Sequence, residues 1–201
     1  MELIKQNELQ KAAKILVSGG LIAFPTETVF GLGVVFDNCI SYKRLIEVKR
    51  RPPDKPFTLM CFDVNEIEHY AEVNEIAKAL INAYMPGQFT IILKAKEGLP
   101  DYVVSKEGNV GIRISGDENV RKLIKLVGKP LLVPSANKSG EQPLTNSKDV
   151  EKVFSNEIDA VIEGESNSNV PSTIVLVDNG VHILREGIIK ESDIKNLLGG
   201  K

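Results

Sequence analysis

Thr173-Ile174-Val175-Leu176-Val177-Asp178-Asn179-Gly180-Val181-His182-Ile183-Leu184 decides the fold class. It reads as two apolar, largely β-branched runs joined by an Asp-Asn-Gly turn, a strong hairpin signal. A hairpin pairs its strands antiparallel, so a sheet that contains it is not purely parallel. Upstream of it, helical and strand patterns alternate, as they do in layered α/β proteins. The reading is therefore α/β, a mixed twisted sheet with flanking helices.

Helical periodicity is clear in four places. Glu8 to Ser18 puts Leu9, Ala12, Ala13 and Leu16 on one face, with Gly19-Gly20 behind as the stop. Ser41 is placed to cap a helix running to about Lys49, ended by Pro52-Pro53. Asn74 to Met85 and Asp117 to Val127 follow, and Asp63 and Ser147 are placed to cap shorter helices, the second ending near Phe154. Strands are expected at Leu21 to Phe24, Val29 to Phe36, Phe57 to Phe62, Phe89 to Ala95, Val110 to Ile114, Leu131 to Val133 and Ala160 to Ile162. No repeat, linker or low-complexity segment interrupts the pattern, so one domain over 1–201 is expected.

Composition excludes several classes. Apolar residues are 42% of 201 and charged residues 26%, ordinary globular values that argue against disorder. A net charge of −2 gives no overall hold on nucleic acid or an anionic membrane. Two cysteines, Cys39 and Cys61, are too few for a disulfide framework or a metal cluster, and read as reduced, half-buried thiols. The start, Met1 to Lys5, lacks a signal-peptide pattern, and no apolar run has the length of a membrane span. A soluble, cytoplasmic protein is expected.

The chemistry must work without the usual nucleophilic machinery. His69 and His182 are the only histidines and sit near neither cysteine. There is no Walker A loop, GxGxxG or HExxH. Four stretches stand out instead. Phe24 to Gly33 ends a strand at Pro25 and presents Thr26, Glu27 and Thr28, although an N-cap or turn would read the same way. Its glycines, Gly31 and Gly33, also fit simple close packing. Lys43 to Lys55 holds six cations against two carboxylates, a local +4. A helix C-terminus attracts cations without any ligand, and equally Arg and Lys are the residues that grip phosphate. Pro134 to Gly140 is a loop of hydroxyls, amide and glycine that could cap a helix or wrap an anion. Pro171-Ser172-Thr173 opens the first hairpin strand and Arg185-Glu186-Gly187 closes the second, with strand-edge packing as the plain alternative.

In order, the stretches 24–33, Lys49-Arg50-Arg51-Pro52, Pro86-Gly87-Gln88-Phe89-Thr90, Val110-Gly111-Ile112-Arg113, 134–140 and Pro171-Ser172-Thr173-Ile174 resemble the YrdC/Sua5/YciO family. Six segments in register over nearly the whole chain are specific where each alone is weak. The resemblance implies a YrdC-like fold with a large positively charged cavity. It also implies threonylcarbamoyl-AMP synthase activity. L-threonine, bicarbonate and ATP, the last with Mg²⁺, give threonylcarbamoyl-AMP and pyrophosphate, for the N6-threonylcarbamoyl modification of adenosine 37 in tRNA. By the family pattern Lys49 and Arg51 are catalytic and bind ATP, together with Lys55, Ser135, Asn137, Ser172 and Arg185. Thr26, Arg113 and Ser135 match the threonine site. No metal-ligating residues are implied, and downstream tRNA-modification proteins are the implied partners.

The match has departures. Where many synthases carry Asn-Pro-Leu-Ile-Val-His, this chain has Lys55-Pro56-Phe57-Thr58-Leu59-Met60-Cys61. Met60 replaces the threonine-contacting His, and Lys55 an amide. That run, with Pro86 to Thr90, looks like the YciO branch, whereas Pro134-Ser135-Ala136-Asn137 is an element YciO-like members can lack. The sequence carries no counterpart of the extra C-terminal domain of the longer Sua5 type. Two alternatives follow. One is a YciO-like paralogue with another small substrate. The other is a non-enzymatic double-stranded-RNA-binding protein using the 43–55 patch, for which few aromatics argue against base stacking.

Overall fold

The structure, a computed structural model, describes residues 1–52, 55–166, 168 and 170–199. Its elements in chain order are β1 (Glu2–Ile4), α1 (Leu9–Val17), β2 (Ile22–Phe24), β3 (Gly31–Val35), α2 (Cys39–Lys49), β4 (Leu59–Cys61), α3 (Ile67–Tyr70), α4 (Glu75–Tyr84), β5 (Phe89–Lys94), β6 (Asn109–Ile114), α5 (Glu118–Val127), β7 (Leu131–Leu132), α6 (Ser147–Phe154), β8 (Ala160–Ile162), β9 (Thr173–Val177), β10 (Val181–Arg185) and α7 (Glu191–Leu197). Among the described residues the strands form one ten-stranded sheet in the order β1-β8-β2-β3-β7-β4-β6-β5-β9-β10. The hairpin forms as its turn residues require, with Val181 opposite Val177. It adds an antiparallel edge next to the parallel pair β5–β9, so the sheet is mixed.

Period-two alternation splits the strand side chains between two apolar layers. Leu59 and Cys61 of β4 face one side with Leu45 and Val48 of α2 and Leu80 of α4. Met60 faces the other, with Leu16 of α1 and Val120, Leu123 and Ile124 of α5. Cys61 is therefore fully buried, and Cys39, at the start of α2, is exposed. Neither is the half-buried thiol expected from composition.

Helix ends correct the sequence reading in three places. Asn38, not Ser41, caps α2, accepting the Ile40 and Ser41 amides. The Ser41 hydroxyl instead donates to Gly19 O at 2.7 Å. Asn146, not Ser147, caps α6. Helix α2 stops before Pro52, because Arg50 takes the left-handed conformation at φ 49°; Pro53 lies outside the described residues. A side chain at that φ is strained, so Arg50→Gly is expected to stabilise the fold by about 0.5–1 kcal/mol. A higher urea midpoint at unchanged m-value is the check. Two elements were not anticipated. Strand β1 joins the sheet beside β8, and α7 carries Ile194 into the core.

The FGLG glycines serve close packing. A Cβ on Gly31 would lie 2.6 Å from Val133 Cγ1, and one on Gly33 would lie 2.5 Å from the Phe24 ring. Side chains there would push β3 away from β2 and β7, and with them the two loops that carry Thr26 and Ser135.

Candidate active site

Those loops meet at one cavity of about 280 Å³. Thr26 follows β2, Ser135 follows β7, Ser172 precedes β9, Met60 and Arg113 lie within β4 and β6, and Arg185 ends β10. Arg51 reaches the same space from beyond α2. Three guanidiniums and a ring of hydroxyls thus line it, and no Asp, Glu, His or Cys does among the described residues. Apolar wall is supplied by Val29, Phe57, Met60 and Val133. An anion with an apolar part is the ligand class such a lining favours.

Each arginine is held by oxygen acceptors. Arg51 donates through Nε to Lys55 O at 3.0 Å and through Nη2 to Pro56 O at 3.2 Å, with its guanidinium over the Phe57 ring. Arg185 donates to Ser172 O and Oγ at 3.0 and 3.1 Å, and Ser172 Oγ pairs with Thr90. Arg113 donates to Gly87 O, to Thr28 Oγ1 and, at 2.7 Å, to Glu27 Oε1. Burial, and then the nearby Arg113 charge, lowers the Arg185 pKa. The two cations repel across the cavity, and an anion between them would relieve that.

Glu27 is presented by the 24–33 stretch in the sequence but receives no role there, because a strand-end turn accounts for it equally well. Besides Arg113 it accepts from the Gly116 amide at 2.8 Å and from Ser115 Oγ. Burial pushes its carboxyl up, but the Arg113 charge and these donors outweigh burial and hold it below the usual carboxylate range. Thr28, Thr90 and Lys138 likewise lie inside the motif stretches without a role read for them. Thr26 Oγ1 bonds to Thr28 Oγ1 and donates to Val29 O, so the two threonines form one hydroxyl unit.

Lys49, Asn137 and Lys55 are not part of the cavity lining. Lys49 is 2% exposed and sends Nζ to Ser135 O (2.7 Å), Asn137 O (2.7 Å) and Asn137 Oδ1 (3.0 Å). Asn137 also accepts from Ser135 Oγ and donates to Lys138 O and Glu141 O. The two residues come together, but they face the loop backbone and not the cavity. Lys55 is exposed, and its carbonyl, not its ammonium, meets Arg51. The +4 stretch is correspondingly dispersed. Arg44 pairs with Asp159 at 2.5 Å, Lys49 is internal, Arg51 turns to the cavity, and Asp54 is outside the described residues. That leaves Lys43, Arg50 and Lys55 as the exposed cations of the stretch.

Comparison with known proteins fits this geometry. The Sua5/YciO/YrdC family model, described as telomere recombination, matches residues 14–187. The chain belongs to that family. Among family relatives, a Methanocaldococcus jannaschii protein provisionally named threonylcarbamoyl-AMP synthase is 35% identical over 92% of this chain and 88% of its own. The threonylcarbamoyl-AMP synthase of Pyrococcus abyssi is 33% identical over 98% of this chain. This chain spans 59% of that relative's length. The crystal structure of P. abyssi Sua5 complexed with L-threonine superposes with a TM-score of 0.92 at 30% identity, covering 99% of this chain and 61% of that one. Escherichia coli YciO shares the fold, with a TM-score of 0.88 at 24% identity over 96% of this chain and 98% of its own. No helix among the described residues is long and apolar enough to cross a membrane.

Proposed function

We propose that this protein is a cytoplasmic L-threonylcarbamoyladenylate synthase acting on L-threonine, bicarbonate and Mg-ATP. The observation that carries the reading is the convergence of Arg51, Arg113 and Arg185 with the Thr26, Ser135 and Ser172 hydroxyls on one cavity that no Asp, Glu, His or Cys lines among the described residues. Threonine and bicarbonate condense to a carbamate with loss of water. A carbamate oxygen then attacks the α-phosphorus, forming one P–O bond as the bond to pyrophosphate breaks. Two anions must approach, so what the protein contributes is positive charge and position, not a covalent intermediate. Arg113, with Nε and Nη2 given to Gly87, Glu27 and Thr28, suits the amino-acid carboxylate as a fixed cation. Arg51 and Arg185 with Ser135 and Ser172 face the phosphates. Lys49 acts through the loop it holds, which is how a residue outside the lining supports the same step.

Mass spectrometry of the product tests this. Incubation with [¹³C]bicarbonate, L-threonine and Mg-ATP is expected to give an AMP ester carrying threonine and one labelled carbon. AMP alone, or no nucleotide product from folded protein, would reject the assignment.

Met60 favours a second reading at the level of substrate choice. It is 2% exposed, lines the cavity, and lies opposite Arg113 in the β4–β6 register. A thioether beside the carboxylate-binding arginine offers contact, not a hydrogen-bonding imidazole, to the amino-acid side chain. A YciO-like preference for another small amino acid would follow. Calorimetry in the presence of ATP, comparing L-threonine with L-serine and L-valine, decides it. Threonine is expected to bind at least tenfold tighter than serine if the synthase reading holds in full. Equal or tighter binding of valine transfers the assignment to the paralogue. A double-stranded-RNA role has less support, because three of the six cations of the basic stretch turn elsewhere, Arg44 to Asp159, Lys49 to the 134–140 loop and Arg51 to the cavity, which leaves Lys43, Arg50 and Lys55 exposed.

A further inference from the structure

The last four carbonyls of a helix have no donors within it. In α2, Ile46 O accepts from the Arg51 amide at 3.1 Å and Glu47 O from the Arg50 amide at 3.0 Å. The other two are met from the 134–140 loop. Lys138 Nζ donates to Val48 O at 2.9 Å, and the Ser139 amide donates to Lys49 O at 2.8 Å. In the opposite direction, Lys49 Nζ reaches into that loop. Two lysines therefore cross between helix and loop, each ending on the other segment's carbonyls.

Lys138 is built into this position. It is 7% exposed, its Nζ lies 4.6 Å from the centre of the Phe154 ring, and it pairs with Glu157 Oε2 at 2.5 Å. A helix C-terminus, a carboxylate and an aromatic face all favour a cation at that point. An aliphatic side chain of the same length would fill the space and leave Val48 O without its donor. Next door, Arg44 joins Glu157 O to Asp159, so the anchor is braced against the chain that leads into β8. Nothing in the motif reading gives Lys138 a role, and it does not line the cavity.

We propose that Lys138 is a positioning residue that locks the 134–140 loop onto the end of α2 and so sets Ser135 and its neighbouring amides for the phosphates of the nucleotide. The nucleotide half of this rests on the function proposed above; the loop half does not. Two measurements separate them. Hydrogen exchange on ligand-free Lys138→Met is expected to speed the Ser139 and Ala136 amides more than tenfold, with the amides of α5 unchanged. Calorimetry is expected to show ATP binding weakened more than tenfold in Lys138→Met and restored to within about threefold by Lys138→Arg. Glu157→Gln removes only the partner carboxylate, keeps the fold, and is expected to weaken ATP binding by about threefold. Unchanged loop exchange and ATP affinity within twofold of wild type in Lys138→Met, or in Glu157→Gln should Lys138→Met not fold, would overturn the proposal. If the wild-type protein binds no ATP, the function assignment fails, and exchange alone decides the role of Lys138. Faster exchange confined to the loop supports it, and unchanged exchange refutes it.

Discussion

Lys49→Ala is expected to lower kcat/KM for ATP by roughly 100-fold, about 2.7 kcal/mol of transition-state stabilisation. The cause is lost order. Three charge-assisted hydrogen bonds hold Ser135 and Asn137 to α2, and each such bond is worth about 1.5–3 kcal/mol. Without them Asn137 O becomes a buried acceptor lacking its donor, and Ser135 O keeps only the Asn137 amide at 3.1 Å. The variant should also unfold more easily, by about 3 kcal/mol. Arg51→Ala supplies the contrast. Its side chain is at the cavity wall, so turnover should fall more than tenfold, about 1.4 kcal/mol, with a smaller loss of stability. Steady-state kinetics and urea unfolding on both variants separate a loop-holding lysine from a substrate-facing arginine. Kinetics unchanged in both would refute both roles.

Lys49 also gives the protein a pH signature. Burial, then the Arg51 and Lys138 charges, bring its pKa down to about 8 from the ordinary 10.5. A lysine lowered on folding destabilises the fold below that value, and the penalty fades as pH rises from about 8 toward 10.5. The loop, however, uses all three of its N–H donors. Activity is therefore expected to fall above about pH 8 while this group's effect on stability improves. Arg51→Ala removes a repelling charge and should shift the alkaline limb of any residual activity upward.

Glu27→Gln is the second large effect. The substitution keeps the shape but leaves Arg113, only 9% exposed at its side chain, without its counter-charge. Breaking a buried pair from one side costs about 3 kcal/mol. An arginine left with only the longer bonds to Gly87 O and Thr28 Oγ1, both at 3.3 Å, should also raise KM for L-threonine by about tenfold. The pH dependence has a definite sign. Glu27 is lowered on folding, so its contribution is present above the unfolded value of 4.5 and is lost as pH falls through the folded value. The stability gap between wild type and Glu27→Gln should be full at pH 7 and shrink in acid below pH 4.5. A gap that stays the same size from neutral pH into acid would show that the substitution acts through shape, not through charge.

The hairpin was legible because Asp178-Asn179-Gly180 acts locally, and α1, α4 and α5 because their apolar faces repeat at helical spacing. Strand β1 escaped notice because three residues carry no pattern of their own; β8, far along the chain, makes Glu2–Ile4 a strand. The N-cap errors at Ser41 and Ser147 have one cause. Several residues near each helix start could cap it, and tertiary bonds such as Ser41 to Gly19 choose among them. At the site, the motifs brought Thr26, Arg51, Arg113, Ser135, Ser172 and Arg185 to one cavity. Side-chain direction was not legible. Lys49 meets its acceptors 86 and 88 residues away, so no local pattern says that it faces a loop. Glu27 resembled a turn residue for the same reason, since Arg113, Ser115 and Gly116 reach it from 86 to 89 residues downstream.

The most direct test is pyrophosphate release by the purified chain with Mg-ATP, bicarbonate and L-threonine, each omitted in turn. Release is expected to require all three and to be lost when threonine or bicarbonate is left out. Release indifferent to threonine, or none from folded protein, would contradict the synthase assignment.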